Sequence, residues 1–217
     1  MLIKGLIFDM DGLLVDTEGL HVIAWKELFR EQGIKLDSWV YPDYAGVADK
    51  LFLDSLKDKG LIPTSWETGS IIAVKTKKLI SIAEKEGVLL FSGVKEILEF
   101  ACTRFKIAVA SNSERDIVSA VLKNAGLAGY FRFAISRNDV GNPKPEPDIY
   151  LETAKKMGLK PCECLVFEDS EVGVESAKKA GMMCVAITTT CGQDKLKKAD
   201  HVYARLSPGI LKDILKW

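Results

Sequence analysis

The sequence has no excess of charge of either sign, because 30 Lys and Arg residues balance 30 Asp and Glu residues. A general nucleic-acid-binding protein usually carries a basic excess, so this composition disfavours that class. No apolar run approaches the ~20 residues that a membrane-spanning helix needs, and no signal peptide is evident. We therefore expect a cytoplasmic protein that binds neither nucleic acid nor a membrane.

Several common site motifs are also missing. The five cysteines are an odd number, which favours reduced thiols over a disulfide framework. Cys162 and Cys164 are one residue apart, which is too close for the usual zinc spacing. Neither a phosphate loop nor a dinucleotide-binding glycine fingerprint occurs, so the enzymes that use those motifs are disfavoured.

The hydrophobic pattern predicts an α/β fold with a helical insertion. An apolar strand at 3–9 is followed by helical spacing with no convincing strand between 16 and 87. After Gly93, strands and helices alternate to the end of the chain, as in right-handed βαβ units. We expect a doubly wound, mostly parallel sheet formed by residues 1–15 and 88–217, with an inserted helical cap domain at 16–87.

Polar side chains follow the predicted strands where ligands bind in open α/β sheets, outside the carboxyl ends. Four separate segments supply them, at Asp9 and Asp11, at Ser111 and Asn112, at Lys144, and at Glu168 and Asp169. Lys144 lies in a proline-rich loop that restricts its backbone. Each group alone could be a helix cap, a turn or a solvated loop residue. One shared site explains all four segments together.

The residue types in these segments suit phosphoryl transfer. Asp9 and Asp11 would repel each other at the end of a buried strand unless a divalent cation offset their charge. Asp9, Asp169 and a carbonyl near Asp11 could hold Mg²⁺, which prefers oxygen ligands. Ser111 and Lys144 could bind a phosphate group. One carboxylate would remain to attack phosphorus and another to move protons.

The same segments resemble the haloacid dehalogenase superfamily, in the branch with a helical cap after the first strand. The matching motifs are Asp9-Met-Asp-Gly-Leu-Leu-Val-Asp-Thr-Glu18, Ala110-Ser-Asn-Ser113, Lys144-Pro-Glu-Pro-Asp148-Ile-Tyr, Phe167-Glu-Asp-Ser170 with Gly173, and Ala180-Gly181-Met182. They occur in the family's order and span nearly the whole chain. As a set they are highly specific.

The resemblance implies a role for each residue. Asp9 would be the nucleophile that forms an aspartyl-phosphate, and Asp11 would be the acid–base residue whose backbone carbonyl binds the metal. Asp169 would ligate Mg²⁺, with Glu168 ligating directly or through water. The phosphoryl group would be held by Ser111, Asn112 and Lys144.

Several activities within the superfamily can be compared with this sequence. The dehalogenases lack an acid at the Asp11 position, and the phosphonate-cleaving members use a cap lysine, for which Lys50 lies in roughly the right region. His21 and Lys75 resemble cap-proximal residues of the β-phosphoglucomutases. Those mutases grip a distal phosphate with an arginine three residues after the glycine of a Gly-Val pair, whereas Gly46-Val47 is followed at that spacing by Asp49. An acid there should repel a second phosphate.

The sequence therefore predicts a Mg²⁺-dependent phosphatase, a phosphoric monoester hydrolase acting on a small phosphorylated metabolite such as a sugar phosphate. A β-phosphoglucomutase-type phosphomutase is the alternative, and a non-catalytic phospho-acceptor or binding module is a less favoured one. His21, Lys50 and Lys75 are the candidate substrate contacts in the cap. We expect a monomer.

Overall fold

A computed structural model describes residues 2–34 and 47–216 of the chain. Its strands are β1 (Gly5–Phe8), β2 (Val15–Asp16), β3 (Leu89–Leu90), β4 (Lys106–Ala110), β5 (Ala134–Ile135), β6 (Cys164–Glu168), β7 (Met183–Ile187) and β8 (His201–Tyr203). Its α-helices are α1 (Glu18–Glu31), α2 (Asp49–Asp58), α3 (Thr68–Glu86), α4 (Val94–Cys102), α5 (Arg115–Asn124), α6 (Asp148–Met157), α7 (Glu171–Lys179) and α8 (Pro208–Leu215).

Six of the strands form one parallel sheet in the order β5-β4-β1-β6-β7-β8. The central strand β1 pairs with β4 on one side and β6 on the other, with Gly5 opposite Lys106 and Cys164. All four residues of β1 are buried, as the unbroken apolar run predicts for a strand covered on both faces. The predicted doubly wound α/β fold is confirmed.

Helices cover both faces of this sheet and fill two separate hydrophobic cores. Successive side chains of a strand point to opposite faces, so Leu6 and Phe8 enter one core while Ile7 enters the other. The ring of Phe8 stacks on that of Phe167 in the adjacent strand, with centroids 4.8 Å apart. This packing holds the ends of β1 and β6 side by side, and both ends carry acidic residues.

The helices between β2 and β3 pack around a third core of their own. Its buried members are Trp25, Leu28, Phe29, Phe52, Leu53, Leu56 and Ile62. The described helices α1, α2 and α3 agree with the helical spacing in the sequence. The division into a catalytic core and a cap at residues 16 and 87 stays a prediction.

A short antiparallel ribbon of β2 and β3 joins this helical segment to the sheet. Val15 lies opposite Leu90, and Asp16 lies opposite Leu89. Neither strand was predicted from the sequence, and β2 overlaps at Asp16 with the segment 16–87 in which no strand was predicted. Two-residue strands are too short to show alternation of apolar and polar residues. Because of this ribbon, the chain leaves the sheet and returns to it at neighbouring points.

The five cysteines are all free, with Cys164 and Cys184 buried and Cys102 and Cys162 exposed. Among the described helices, none is both long enough and apolar enough to cross a membrane.

Candidate active site

The catalytic, phosphate-binding and metal-binding residues predicted from the sequence meet in or directly behind one cleft at the carboxyl ends of β1, β4 and β6. The cleft has a volume of about 450 Å³, including space open to solvent. It is lined by Asp9, Asp11, Glu18, His21, Val47, Asp49, Asn112, Ser113, Lys144 and Ser170. Glu168, Asp169 and Ser111 are buried directly behind this lining.

Lys144 is the buried cation at the centre of the site, with only 2% of its surface exposed. Its ammonium donates to Asp9 Oδ1, to Glu168 Oε1 at 2.7 Å and to the carbonyl of Ala110 at 3.0 Å. Burial lowers the pKa of Lys144, but the charges of Asp9 and Glu168 outweigh that effect and raise it. The side chain is therefore a fixed positive charge.

Asn112 holds the main chain of Lys144 in place. Its Oδ1 accepts from the Lys144 amide at 3.0 Å, and its Nδ2 donates to the Lys144 carbonyl at 3.4 Å. Asn112 also lines the cleft. The structure thus connects the predicted phosphate-binding asparagine to the predicted phosphate-binding lysine.

Glu168 faces Lys144 with both carboxylate oxygens already engaged. Oε1 also accepts from the hydroxyl of Tyr150 at 2.7 Å. Oε2 accepts from the Asp169 amide at 2.9 Å and from the Ser170 amide and hydroxyl at 3.1 and 3.0 Å. A Cβ at Gly173 would lie 1.7 Å from Oε1, so this position has no room for a side chain. Burial raises the pKa of Glu168, but Lys144, Tyr150 and Ser170 lower it below its usual value.

One carboxylate oxygen of Asp169 accepts a hydrogen bond, and the other accepts none. Oδ2 accepts from the hydroxyl of Thr190, whereas Oδ1 is buried without a hydrogen-bond partner. Gly12 approaches closely, because a Cβ there would lie 2.2 Å from Oδ2. The next hydroxyl, that of Thr189, donates to the carbonyl of Gly12 at 2.5 Å. A buried carboxylate oxygen without a donor is costly unless a cation or another ligand satisfies it.

Asp9, Glu168 and Asp169 fit a divalent cation. One oxygen of each lies within 4.8 Å of the others, and all three residues are buried. Burial raises the pKa of Asp9, Lys144 lowers it, and the charges of Glu168 and Asp11 raise it further, leaving it well above its usual value. Burial and the charges of Glu168 and Asp9 raise the pKa of Asp169 in the same way. The cluster thus has more carboxylates than Lys144 alone can neutralise, and their oxygens are the ligands that Mg²⁺ prefers.

Asp11 has a different environment from Asp9, although only one residue separates them. Its Oδ2 accepts from Ser111 at 3.0 Å and Ser113 at 2.8 Å, and its Oδ1 accepts from Thr17 at 2.5 Å. Burial raises the pKa of Asp11, but His21 and these hydroxyls outweigh burial and hold it below its usual range. The surroundings therefore raise the proton affinity of Asp9 and lower that of Asp11. Neighbouring carboxylates with such different proton affinities are typical of sites in which the two groups have different chemical roles.

His21 links Asp11 to the helical segment. The ammonium of Lys75 lies 2.9 Å from His21 Nδ1, and an ammonium can only donate, so the proton of a neutral imidazole lies on Nε2. That Nε2 is 3.7 Å from Asp11 Oδ1, an ion-pair distance that is longer than a hydrogen bond. Lys75 also pairs with Asp49 at 2.7 Å and is fully buried.

The three candidate cap contacts thus differ in position. His21 lines the cleft, while Lys75 lies behind Asp49 and is not among the lining residues. Lys50 is exposed, pairs with Asp54 at 2.7 Å and is not brought to the described part of the cleft. Gly46, which the comparison with the mutases used, lies outside the described residues.

Sequence reasoning missed four residues that orient the site. They are Thr17, Ser113, Tyr150 and Thr190. The first three lie inside or beside recognised motifs, but nothing in the sequence says which carboxylate each would contact. Thr190 follows β7, a fifth strand with a polar end, and the run Thr188-Thr189-Thr190 was a signal that the strand-end argument could have used.

Replacing Tyr150 by Phe should destabilise the fold by about 1.5–3 kcal/mol, because it removes a buried donor to an ionised carboxylate. Urea unfolding measures the change. Tyr130→Phe is the matched control, since its hydroxyl makes an exposed 3.4 Å contact with Glu99 and should contribute less than about 0.5 kcal/mol. Equal stabilities of the two variants would contradict the assigned role of Tyr150.

Comparison with known proteins identifies the family. Residues 6–187 match the family described as haloacid dehalogenase-like hydrolase. The chain is 32% identical over 188 residues to the fructose-1-phosphate phosphatase YqaB of Escherichia coli strain K12, covering 84% of this chain and 95% of that protein. It is 34% identical over 203 residues to Protein SUPPRESSOR OF QUENCHING 1, chloroplastic, of Arabidopsis thaliana. This match covers 91% of the chain but only 19% of that longer protein.

A solved structure gives the same result. The β-phosphoglucomutase of Clostridium difficile superposes with a TM-score of 0.85 at 25% identity, covering 98% of this chain and 96% of that one. The predictions of the superfamily and of a phosphoric monoester hydrolase are confirmed at this level. The chain belongs to the haloacid dehalogenase-like hydrolase family.

Proposed function

We propose that this protein is a Mg²⁺-dependent phosphatase that hydrolyses a small phosphorylated metabolite, a sugar phosphate, through an aspartyl-phosphate on Asp9. The observation that carries the proposal is the unlike surroundings of Asp9 and Asp11 at one strand end. Asp9 is held by an ammonium, whereas Asp11 is held by three hydroxyls beside a histidine. The relative named as a fructose-1-phosphate phosphatase supports the choice of a sugar phosphate.

Asp9 is the nucleophile in this proposal. One of its carboxylate oxygens attacks phosphorus, and the bond from phosphorus to the leaving oxygen breaks. Asp11 gives a proton to that oxygen, so an alcohol departs. Water then attacks the phosphorus of the aspartyl-phosphate and loses a proton to Asp11, which releases phosphate and restores Asp9.

The resting state of Asp11 suits the second half of this sequence. Its lowered pKa keeps the carboxylate ionised, which is the form that accepts a proton from water. A phosphate dianion bound beside Asp11 raises the pKa of Asp11, because a like charge disfavours the ionised form. Substrate binding therefore shifts Asp11 toward the protonated form that the first half requires.

Lys144 and Ser111 hold the transferring phosphoryl group, and Asn112 fixes the main chain of Lys144. Asp9, Asp169 and the backbone carbonyl of Asp11 would hold the Mg²⁺. Because five hydrogen bonds already engage the oxygens of Glu168, we assign it a contact through water. When bound, the ion offsets the excess carboxylate charge and stabilises the charge that develops on the phosphoryl oxygens.

The helical segment at 16–87 is a cap that closes over the cleft in this account. His21 and Asp49 belong to it and line the cleft beside Asp11 and Lys144. A cap of this kind excludes bulk water from the phosphoryl group and contacts the leaving group. It therefore decides which phosphate monoesters are turned over.

Asp9→Asn should lower the turnover of p-nitrophenyl phosphate to below about one-thousandth, because an amide is a poor nucleophile for phosphorus. Released p-nitrophenol measures the rate, and circular dichroism checks the fold. Asp54→Asn, a half-buried acid that pairs with Lys50 and does not line the cleft, is the control and should keep its activity. Retained activity in Asp9→Asn would exclude covalent catalysis by this residue.

Thr190→Val should weaken Mg²⁺ binding by about 10–100-fold, because it removes the hydroxyl that orients Asp169 while keeping a similar volume. Calorimetric titration with Mg²⁺ in the absence of substrate measures this directly. Thr190→Ser keeps the hydroxyl and should bind Mg²⁺ within about threefold of the wild type. An unchanged affinity in Thr190→Val would show that Thr190 does not act through a bound cation.

A phosphomutase is the second candidate, favoured by the likeness to a β-phosphoglucomutase structure. A mutase must bind a bisphosphate, whereas the cleft carries the Asp49 carboxylate on its cap side. We expect incubation with β-glucose 1-phosphate and a bisphosphate primer to release free phosphate without forming glucose 6-phosphate. Enzymatic assays of both products measure this. Formation of glucose 6-phosphate faster than free phosphate would favour the mutase.

A further inference from the structure

Three cationic side chains lie around one groove at the edge of the sheet, away from the catalytic cleft. The groove has a volume of about 980 Å³, including space open to solvent. We call it the sheet-edge groove, and it is lined by Lys106, Ile107, Arg132, Phe133, Lys156 and Met157. Of these described lining residues none is acidic, so the lining carries three positive charges and no negative one.

The groove exists because β5 is shorter than β4. β5 pairs with β4 only from Val109 onward. Lys106 and Ile107, at the start of β4, have no strand partner on that side among the described residues. Arg132 and Phe133, which come just before β5, line the gap that results.

The sheet-edge groove is separate from the catalytic site, although both lie along β4. Lys106 is the first residue of this strand, and Ser111 directly follows its last residue. Five residues of extended strand span about 16 Å. A small anion in the groove therefore does not reach the phosphoryl site, and the inference does not depend on the proposed function.

The positive charges of the groove are held in place without being neutralised. Lys106 Nζ donates to the carbonyl of Met157 at 2.8 Å, and Lys156 Nζ lies 4.8 Å from the centre of the Phe133 ring. A carbonyl and an aromatic ring orient an ammonium but carry no net charge. Arg132 makes no hydrogen bond or ion pair with any residue of the described ranges 2–34 and 47–216.

An adjoining groove that shares Lys156 contains an acid, Asp139. Its Oδ1 accepts from Arg115 at 2.5 Å, and its Oδ2 accepts from the amide and hydroxyl of Ser136 at 2.8 and 2.6 Å. The charge of Asp139 is therefore already matched by Arg115 and does not neutralise the sheet-edge groove.

A purely structural role for these cations would be to stabilise the end of α6. Lys156 lies in the last turn of this helix, and Lys106 donates to Met157, its last residue. The carboxyl end of a helix carries a partial charge of about −0.5, which offsets only a fraction of three positive charges. Arg132 lies outside α6 and has no described partner, so a structural role leaves it unexplained.

We propose that the sheet-edge groove binds a small anion that carries several phosphate groups, of the triphosphate class. Three cations from separate elements surround an opening much larger than one phosphate group, so a chain of phosphates can contact more of them than a single group can. Charge-assisted contacts of this kind favour a polyphosphate over a monophosphate. Because the whole chain has no excess of positive charge, the groove suits a small ligand better than a nucleic acid.

Calorimetric titration with tripolyphosphate, in EDTA and without Mg²⁺, measures this binding. Arg132 is exposed and has no described partner, so Arg132→Ala should fold normally. We expect Arg132→Ala to weaken the affinity by about tenfold or more and Arg132→Lys to stay within about threefold of the wild type. Lys85→Ala changes the net charge equally, but Lys85 is exposed in α3 and does not line the groove, so it should bind as the wild type does.

Inorganic phosphate alone should bind at least about tenfold more weakly than tripolyphosphate, because it can contact fewer of the cations. Equal affinities for the two anions would overturn the inference. So would an unchanged affinity for tripolyphosphate in Arg132→Ala, or an equal loss in Lys85→Ala.

Nuclear magnetic resonance titration of isotope-labelled protein locates the bound anion. We expect the amide signals of Phe133 and Met157 to shift when tripolyphosphate is added to the wild type, and to shift much less at the same concentration in Arg132→Ala. Shifts confined to the amides of Asn112 and Lys144 would place the anion in the catalytic cleft and would overturn the inference.

ATP in place of tripolyphosphate distinguishes two sources of the same chemistry. An equal affinity supports recognition of the triphosphate group alone. An affinity for ATP that is higher by about tenfold or more supports a nucleoside triphosphate whose base packs beside Phe133. Binding of neither compound would overturn the inference.

Discussion

The buried ammonium of Lys144 among four carboxylates is the interaction on which the rest of the site depends. It bonds Asp9 and Glu168 directly, and Asp11 and Asp169 lie in the same cluster of strand ends. One positive charge cannot offset this much buried negative charge. In the proposed mechanism a divalent cation would complete the cluster, and the buried Oδ1 of Asp169, which has no hydrogen-bond partner, is a ligand atom available to it.

The fold brings these groups together because parallel strands end at the same edge of a sheet. β1 and its neighbours β4 and β6 supply the acids and serines, and the loop before α6 supplies Lys144. Residues without a direct chemical role then orient each group. Tyr150 and Ser170 donate to Glu168, and Thr190 donates to Asp169, so each carboxylate is held in a defined orientation.

The sequence predicts site residues whose position depends on neighbouring residues in the chain. Asp9, Ser111, Lys144 and Asp169 could be predicted because each follows a strand or lies in a stiff loop, and the α/β alternation predicts a common edge. Contacts between distant segments could not be predicted, since nothing in the local pattern connects Tyr150 to Glu168. In the helical segment, the sequence could not distinguish exposed Lys50 from buried Lys75, because the three-dimensional packing of α1, α2 and α3 decides which of them approaches the cleft.

The central claim is that phosphorus becomes bonded to Asp9 during turnover. It is tested most directly by mixing the protein with Mg²⁺ and a sugar phosphate, quenching with acid within milliseconds, and reducing with borohydride. This treatment converts an aspartyl-phosphate into homoserine, which peptide mass spectrometry locates. The account predicts homoserine at position 9. Homoserine at another position, or an unmodified Asp9 peptide under conditions of steady turnover, would contradict it.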